Sequence, residues 1–158
     1  MTESTDFPIS VTYSQIGVFN HSLDRPFNEW TDRHVTQGFS WRSGTVAFAT
    51  IEEDGNHPVS VEVSDDSKDP DPRVTRVIDV PFEVSPSGEI EIGSISSSVK
   101  LALSPGTYQL RFECGMGEGD PRKVAFRFFR SEQPHFGIVR ADSEIETSKD
   151  LLLTALPA

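Results

Sequence analysis

The side chains equipped for chemistry are few and scattered. The four histidines, His21, His34, His57 and His135, stand far apart; none lies in a helical pair and none beside a cysteine at ligand spacing. A hydrolytic site needs a nucleophile with a base, a pair of carboxylates, or a metal, all converging on one place. No motif here pins such a set. The single cysteine, Cys114, has no adjacent cation to hold a thiolate and is flanked by strand-like residues, so it reads as a small buried hydrophobe. Residues 65–72 (DDSKDPDP) offer oxygens to a hard cation, but they lack the central glycine and distal glutamate of an EF-hand loop. Lys68 sits among them, and two prolines stiffen the run, which points to a solvated loop. Residues 115–120 (GMGEGD) imitate a phosphate loop, yet Pro121 and another strand follow, and Glu118 and Asp120 would repel phosphate. The residues predict no catalytic group, no metal and no cofactor, hence a protein that is not an enzyme.

Recognition by charge is what remains. Across 158 residues the formal net charge is −11, a field that repels nucleic acid and anionic membranes and attracts basic surfaces. Solubility alone would also account for it. The carboxylates concentrate in Glu52, Glu53 and Asp54, in Asp65, Asp66, Asp69 and Asp71, and in Glu118 and Asp120. These are the candidate partner-binding residues. Arg122, Lys123, Arg127 and Arg130, interleaved with Phe126, Phe128 and Phe129, have the composition of a nucleic-acid-binding strand. Against the charge of the whole chain, cross-strand pairing with acidic neighbours such as Glu113 is the better account. Phe27, Trp30 and Trp41 are candidate aromatic anchors if exposed, with core packing the competing role.

These residues must be held by strands. Segments 8–13, 44–51, 58–64, 74–84, 89–92, 99–103, 107–114, 122–130 and 135–140 are apolar and mostly alternating, with turn chemistry between them. Segment 15–19 extends the first after a bend. The Asp54-Gly55 step predicts a hairpin joining 44–51 to 58–64. Pro81 cannot donate to a ladder, so 74–84 needs an edge or a bulge there. One helix is predicted, within 29–39, capped by Thr31, with Asp32 in its first turn and Gly38 past its end. Trp30, Thr31 and Asp32 read as one structural unit. At two turns that helix requires Trp30, Val35 and Phe39 to pack on the body. The expected fold is all-β, an antiparallel β-sandwich with one short helix, forming a single domain over 1–158. Residues 143–158, ending in three leucines and LPA, form a C-terminal tail expected to dock on the body.

The N-terminal residues lack the charged and apolar regions of a signal peptide, one cysteine cannot form a disulfide framework, and no run nears the about 18 apolar residues of a membrane span. The expected setting is the cytoplasm.

Two collinear blocks resemble the competence protein J family. The first is Tyr13-Ser14-Gln15 with Val18-Phe19, then Trp30-Thr31-Asp32, Gly38-Phe39 and Gly44. The second is Val80-Pro81-Phe82 with Val84, Gly88, Ile92 and Ile95, then Leu103, Pro105-Gly106, Tyr108 and Leu110. Each motif is weak alone; their shared order over residues 9–112 carries the resemblance. It implies an inhibitor or immunity protein for a nonspecific DNA nuclease encoded nearby, and the charge of the chain agrees: such a nuclease is a basic partner that an acidic face can bind. Residues 134–158 run past the end of the family's founding member. The alternative reading is a carbohydrate-binding or other ligand-binding β-sandwich, in which Trp30 and Trp41 stack on sugar rings from one face.

Overall fold

Alternation of side chains decides which faces are buried, and two sheets result. The protein is described by a computed structural model covering residues 3–117 and 119–158. One sheet runs in the order β1 (Glu3–Val11), β5 (Gly55–Ser64), β10 (Asp120–Arg130), β9 (Gly106–Met116), β6 (Val74–Val84), β11 (Gly137–Arg140). The other runs β3 (Phe39–Arg42), β4 (Thr45–Ala49), β2 (Gln15–Asn20), β7 (Glu89–Gly93), β8 (Ser98–Ala102). Their facing sides make one core, where Phe48 of the second sheet stacks on Phe112 of the first at 4.5 Å between centroids. Phe126 and Phe128 of β10, Tyr108 of β9 and Phe82 of β6 complete the aromatic layer. All six rings are fully buried, so their apolar area stabilises the packing of the two sheets.

The architecture is the expected all-β sandwich, with one departure: β5 and β10 pair in parallel, Val59 opposite Val124, while the remaining pairs are antiparallel. Segments 8–13 and 15–19 lie in different sheets; the chain changes sheet at Tyr13 and Ser14, whose φ angles are 57° and 56°. The predicted hairpin between 44–51 and 58–64 does not form. Both edges of β4 are taken by β2 and β3, so the chain crosses at residues 50–54 to the opposite sheet. There β5 lies between β1 and β10, with Gly55 at φ 96° supplying the turn. Pro81 behaves as read: the short β11 covers β6 only as far as Asp79, so β6 is an edge at the proline.

Helix α1 spans Asp32–Gln37, shorter than predicted but with the predicted ends, Thr31 as N-cap and Gly38 at φ 86° after the last turn. Val35 points outward, 57% exposed, contrary to expectation; His34 and Gln37 are buried instead. Their partners come from the C-terminal segment. His34 Nδ1 accepts the Thr31 backbone N–H at 2.9 Å, which leaves Nε2–H to donate to the Thr154 carbonyl at 2.9 Å. Gln37 holds the backbone of Leu152 from both sides, and Arg33 donates to the carbonyls of residues 146, 149 and 150. Farther along, the Glu29 backbone N–H donates to the Leu156 carbonyl and the Ala158 N–H to the Phe27 carbonyl.

Candidate functional site

Three chain segments meet at one end of the sandwich. The first is the turn at residues 12–15, where Tyr13 and Ser14 occupy left-handed backbone and Gln15 N–H donates to the Thr12 carbonyl at 3.4 Å. The second is the crossover at 50–54, tied to that turn by Ser14 N–H donating to the Glu53 carbonyl (2.8 Å) and Thr50 N–H donating to Ser14 (2.9 Å). The third is the β9–β10 hairpin tip, joined to the crossover by Arg122, whose Nε donates to the Asp54 carbonyl at 3.1 Å while Nη2 lies 4.0 Å from Glu52. Asp120 accepts the Arg122 backbone N–H at 3.0 Å. Glu52, Glu53, Asp54 and Asp120 are thus brought together at this end, with Glu53 and Asp54 exposed. Glu118, expected with them, lies outside the described residues.

The second acidic group is placed differently. Residues 65–73 leave the far end of β5 and return across the outer face of the first sheet to the start of β6, forming a strap. Arg111 Nη1 donates to the Lys68 carbonyl (2.6 Å), while its Nε and Nη2 grip Asp79 at 2.8 and 3.0 Å. Lys68 reaches Glu62 at 3.3 Å, and Arg127 bridges Glu113 (2.7 Å) and Glu62 (3.0 Å). The Arg127–Glu113 contact is the cross-strand pairing the sequence suggested. It uses the basic stretch for cohesion of the sheet, in the way Arg130 lies over the Tyr108 ring at 5.1 Å. Asp65, Asp66 and Asp69 are exposed on the strap. Asp71 is engaged: the Arg73 guanidinium bonds both its carboxylate oxygens, and these bonds hold the carboxyl well below the usual carboxylate range. Asp54 and Asp65 flank opposite ends of β5, whose ten residues span about 30 Å at 3.3 Å per residue. The carboxylates therefore form an acidic end and an acidic strap rather than one continuous face.

The groups suited to catalysis stay apart. Cys114 is buried and its thiol is pushed up to about 11 by that burial. His57 is buried at the acidic end with its pKa lowered by burial, and its Nδ1 bonds the Gly55 carbonyl at 2.9 Å. Among the described residues no three His, Cys, Asp or Glu side chains are arranged to hold a metal ion, and no helix is long and apolar enough to cross a membrane.

Of the candidate aromatic anchors, Trp41 turns inward, donating from Nε1 to the Pro81 carbonyl (2.8 Å) and meeting Phe136 edge-on at 5.0 Å. Trp30 is half-buried against His34. Two indoles on one open face, which sugar stacking needs, are not presented. Phe27 is 44% exposed against Phe19. The most exposed large apolar side chain among the described residues is Tyr13, at 72%, which the alternation of segment 8–13 would place with Ile9 and Val11 on the buried face of a strand. The left-handed backbone at residues 13 and 14 ends the strand before Tyr13 and turns its side chain outward.

The competence protein J (ComJ) profile matches residues 8–131, which include the turn, the crossover, the strap and the whole β9–β10 hairpin. A relative from Bacillus subtilis (strain 168), a DNA-entry nuclease inhibitor, is 29% identical over 103 residues, 65% of this chain and 75% of that protein. The crystal structure of ComJ, inhibitor of the DNA-degrading activity of NucA, from Bacillus subtilis superposes with a TM-score of 0.72 at 21% identity, covering 83% of this chain and 99% of that one. The crocagin biosynthetic gene J structure superposes with a TM-score of 0.61 at 12% identity, covering 84% and 99%. The two superpositions show that the sandwich is shared, and the profile match extends over most of the sequence. The chain belongs to the competence protein J family.

Proposed function

We propose that this protein is an inhibitor of a DNA-degrading nuclease, of the immunity type, acting in the cytoplasm on a basic nuclease encoded nearby. The observation that carries the reading is membership of a family whose Bacillus subtilis relative is a DNA-entry nuclease inhibitor. Physical chemistry supports it. A nuclease must attract phosphates, so its cleft is positive, and a protein of net charge −11 that presents carboxylates on an end and a strap is complementary to such a cleft. Glu52, Glu53, Asp54 and Asp120 would meet the partner at the acidic end, and Asp65, Asp66 and Asp69 would steer the approach.

The test is an on-rate. Replacing Asp65, Asp66 and Asp69 together by Asn should slow association with the nuclease and flatten its dependence on salt, in a variant whose circular dichroism shows it folded. Steered association reaches on the order of 10⁸ per molar per second at low salt and falls steeply as ions screen it. A triple variant with the wild-type on-rate and salt slope would remove the strap from the interface.

A further inference from the structure

We infer that Tyr13 is the aromatic anchor of the inhibitory interface, the side chain that enters the nuclease's basic cleft. The inference rests on the nuclease-inhibitor reading and adds to it a residue and a contact. Tyr13 and Ser14 are the central residues of a two-residue turn, with φ of 57° and 56° and a Thr12–Gln15 bridge closing it. Turns of this hand take Asn-Gly or Asp-Gly by preference, because both central residues need left-handed backbone that a side chain with a Cβ adopts reluctantly. Among the described residues these are the two non-glycine positions with positive φ, and they are adjacent. A tyrosine there lacks a structural reason. Its ring is 72% exposed, so it adds little to the core, while the turn would form more readily with Asn-Gly. Strain kept at an exposed position, without packing in return, is characteristic of sites that act on something else.

The surroundings specify the partner. The turn is pinned to the crossover by the Ser14 and Thr50 backbone bonds, so Tyr13 cannot swing far from Glu53, and the end it projects from also carries Glu52, Asp54 and Asp120. An exposed aromatic on a pinned turn, at the end of the sandwich that also carries these carboxylates, fits a set of Arg or Lys side chains: the ring face takes a guanidinium or ammonium, and the carboxylates pair with its neighbours. That is the chemistry of a phosphate-binding cleft.

The experiment titrates wild type, Tyr13→Ala, Tyr13→Phe and the double variant Tyr13→Asn/Ser14→Gly against the NucA-type nuclease of the organism encoding this chain, with Bacillus subtilis NucA alongside, following plasmid degradation. The expected result is that wild type inhibits, Tyr13→Phe keeps most of the effect, and Tyr13→Ala is weaker by roughly thirtyfold or more at an unchanged melting temperature. The Asn-Gly variant should melt higher, its turn relaxed, and inhibit as poorly as Tyr13→Ala. If wild type inhibits and Tyr13→Ala or the Asn-Gly variant inhibits within about threefold of it, the anchor is overturned and the nuclease-inhibitor reading stands. If wild type inhibits neither nuclease, both fall together.

Discussion

Arg76 is the largest side chain in the molecule with almost no exposure, and it faces inward from a strand otherwise lined by Ile78, Val80 and Phe82. A buried guanidinium persists only when its donors are used, and here they are: Nε and Nη2 grip Asp142 at 2.9 and 3.0 Å, Nη2 also reaches Glu144 at 3.0 Å, and Nη1 donates to the Ala49 carbonyl at 2.7 Å. Removing one member leaves a charge desolvated without its partner. Asp142→Ala should lower stability by about 3 kcal/mol in chemical denaturation, the low end of the usual range because Glu144 remains. Arg76→Met in the same background should recover part of the loss, since an apolar residue of similar length leaves no orphaned charge. His57 supports a second prediction. Its pKa lies below the ordinary 6.5 because burial disfavours the charged ring, so the unfolded chain binds the proton more readily than the folded one. Stability contributed by neutral His57 is present above the unfolded value and is lost as pH falls from about 6.5 towards the folded value. His57→Leu should flatten the decline in melting temperature over that window; an unchanged acid slope would place its origin elsewhere.

Helix α1, at six residues, is too short to persist unaided, and the elements that hold it lie more than a hundred positions away in the chain. Deleting residues 141–158 would expose the contacts of His34 and Gln37 and strand Arg76, so the truncated protein should melt well below the full chain even though the family match ends at 131. Adding Arg76→Met to the truncation should raise its melting temperature, and failure to do so would show that the tail acts through its apolar residues, Ile145 and Leu151, instead. The same helix marks the boundary of what the sequence discloses. Thr31 and Gly38 are local signals, and both ends were legible. That His34 and Gln37 face inward while Val35 faces solvent depends on carbonyls of residues 152 and 154, which no local pattern reports. Pro81 was legible because a missing N–H is a property of the residue itself. The Asp54-Gly55 step was misread because an Asp-Gly turn serves a crossover between sheets as well as a hairpin, and what decides is which strands already flank β4. For the site, the acidic residues were legible as residues, but their division between an end and a strap follows from where β5 starts and stops. Alternation misplaced Tyr13, since its exposure is set by the turn's handedness.

Over the whole molecule, net charge and topology have separate effects. With a charge of −11, inhibition should weaken as ionic strength rises, and a midpoint of inhibition that stays constant between low and physiological salt would argue against electrostatic steering. Topology governs how the protein comes to exist. Val59 lies between Phe7 and Val124, each more than fifty positions away, and neither β5 nor β9 can complete its pairing until β10 is in place. Such non-local pairing folds slowly, in milliseconds to seconds for small β domains, and stopped-flow refolding should show it. On the ribosome the consequence is sharper. At about 5–20 residues per second, a nascent chain that has released β5 spends several seconds with Val59 and Val61 beside an unpaired backbone edge before β10 emerges. Stalled chains ending before Val124 should therefore recruit chaperones and be digested by protease, whereas those long enough to free Arg130 from the exit tunnel should become resistant.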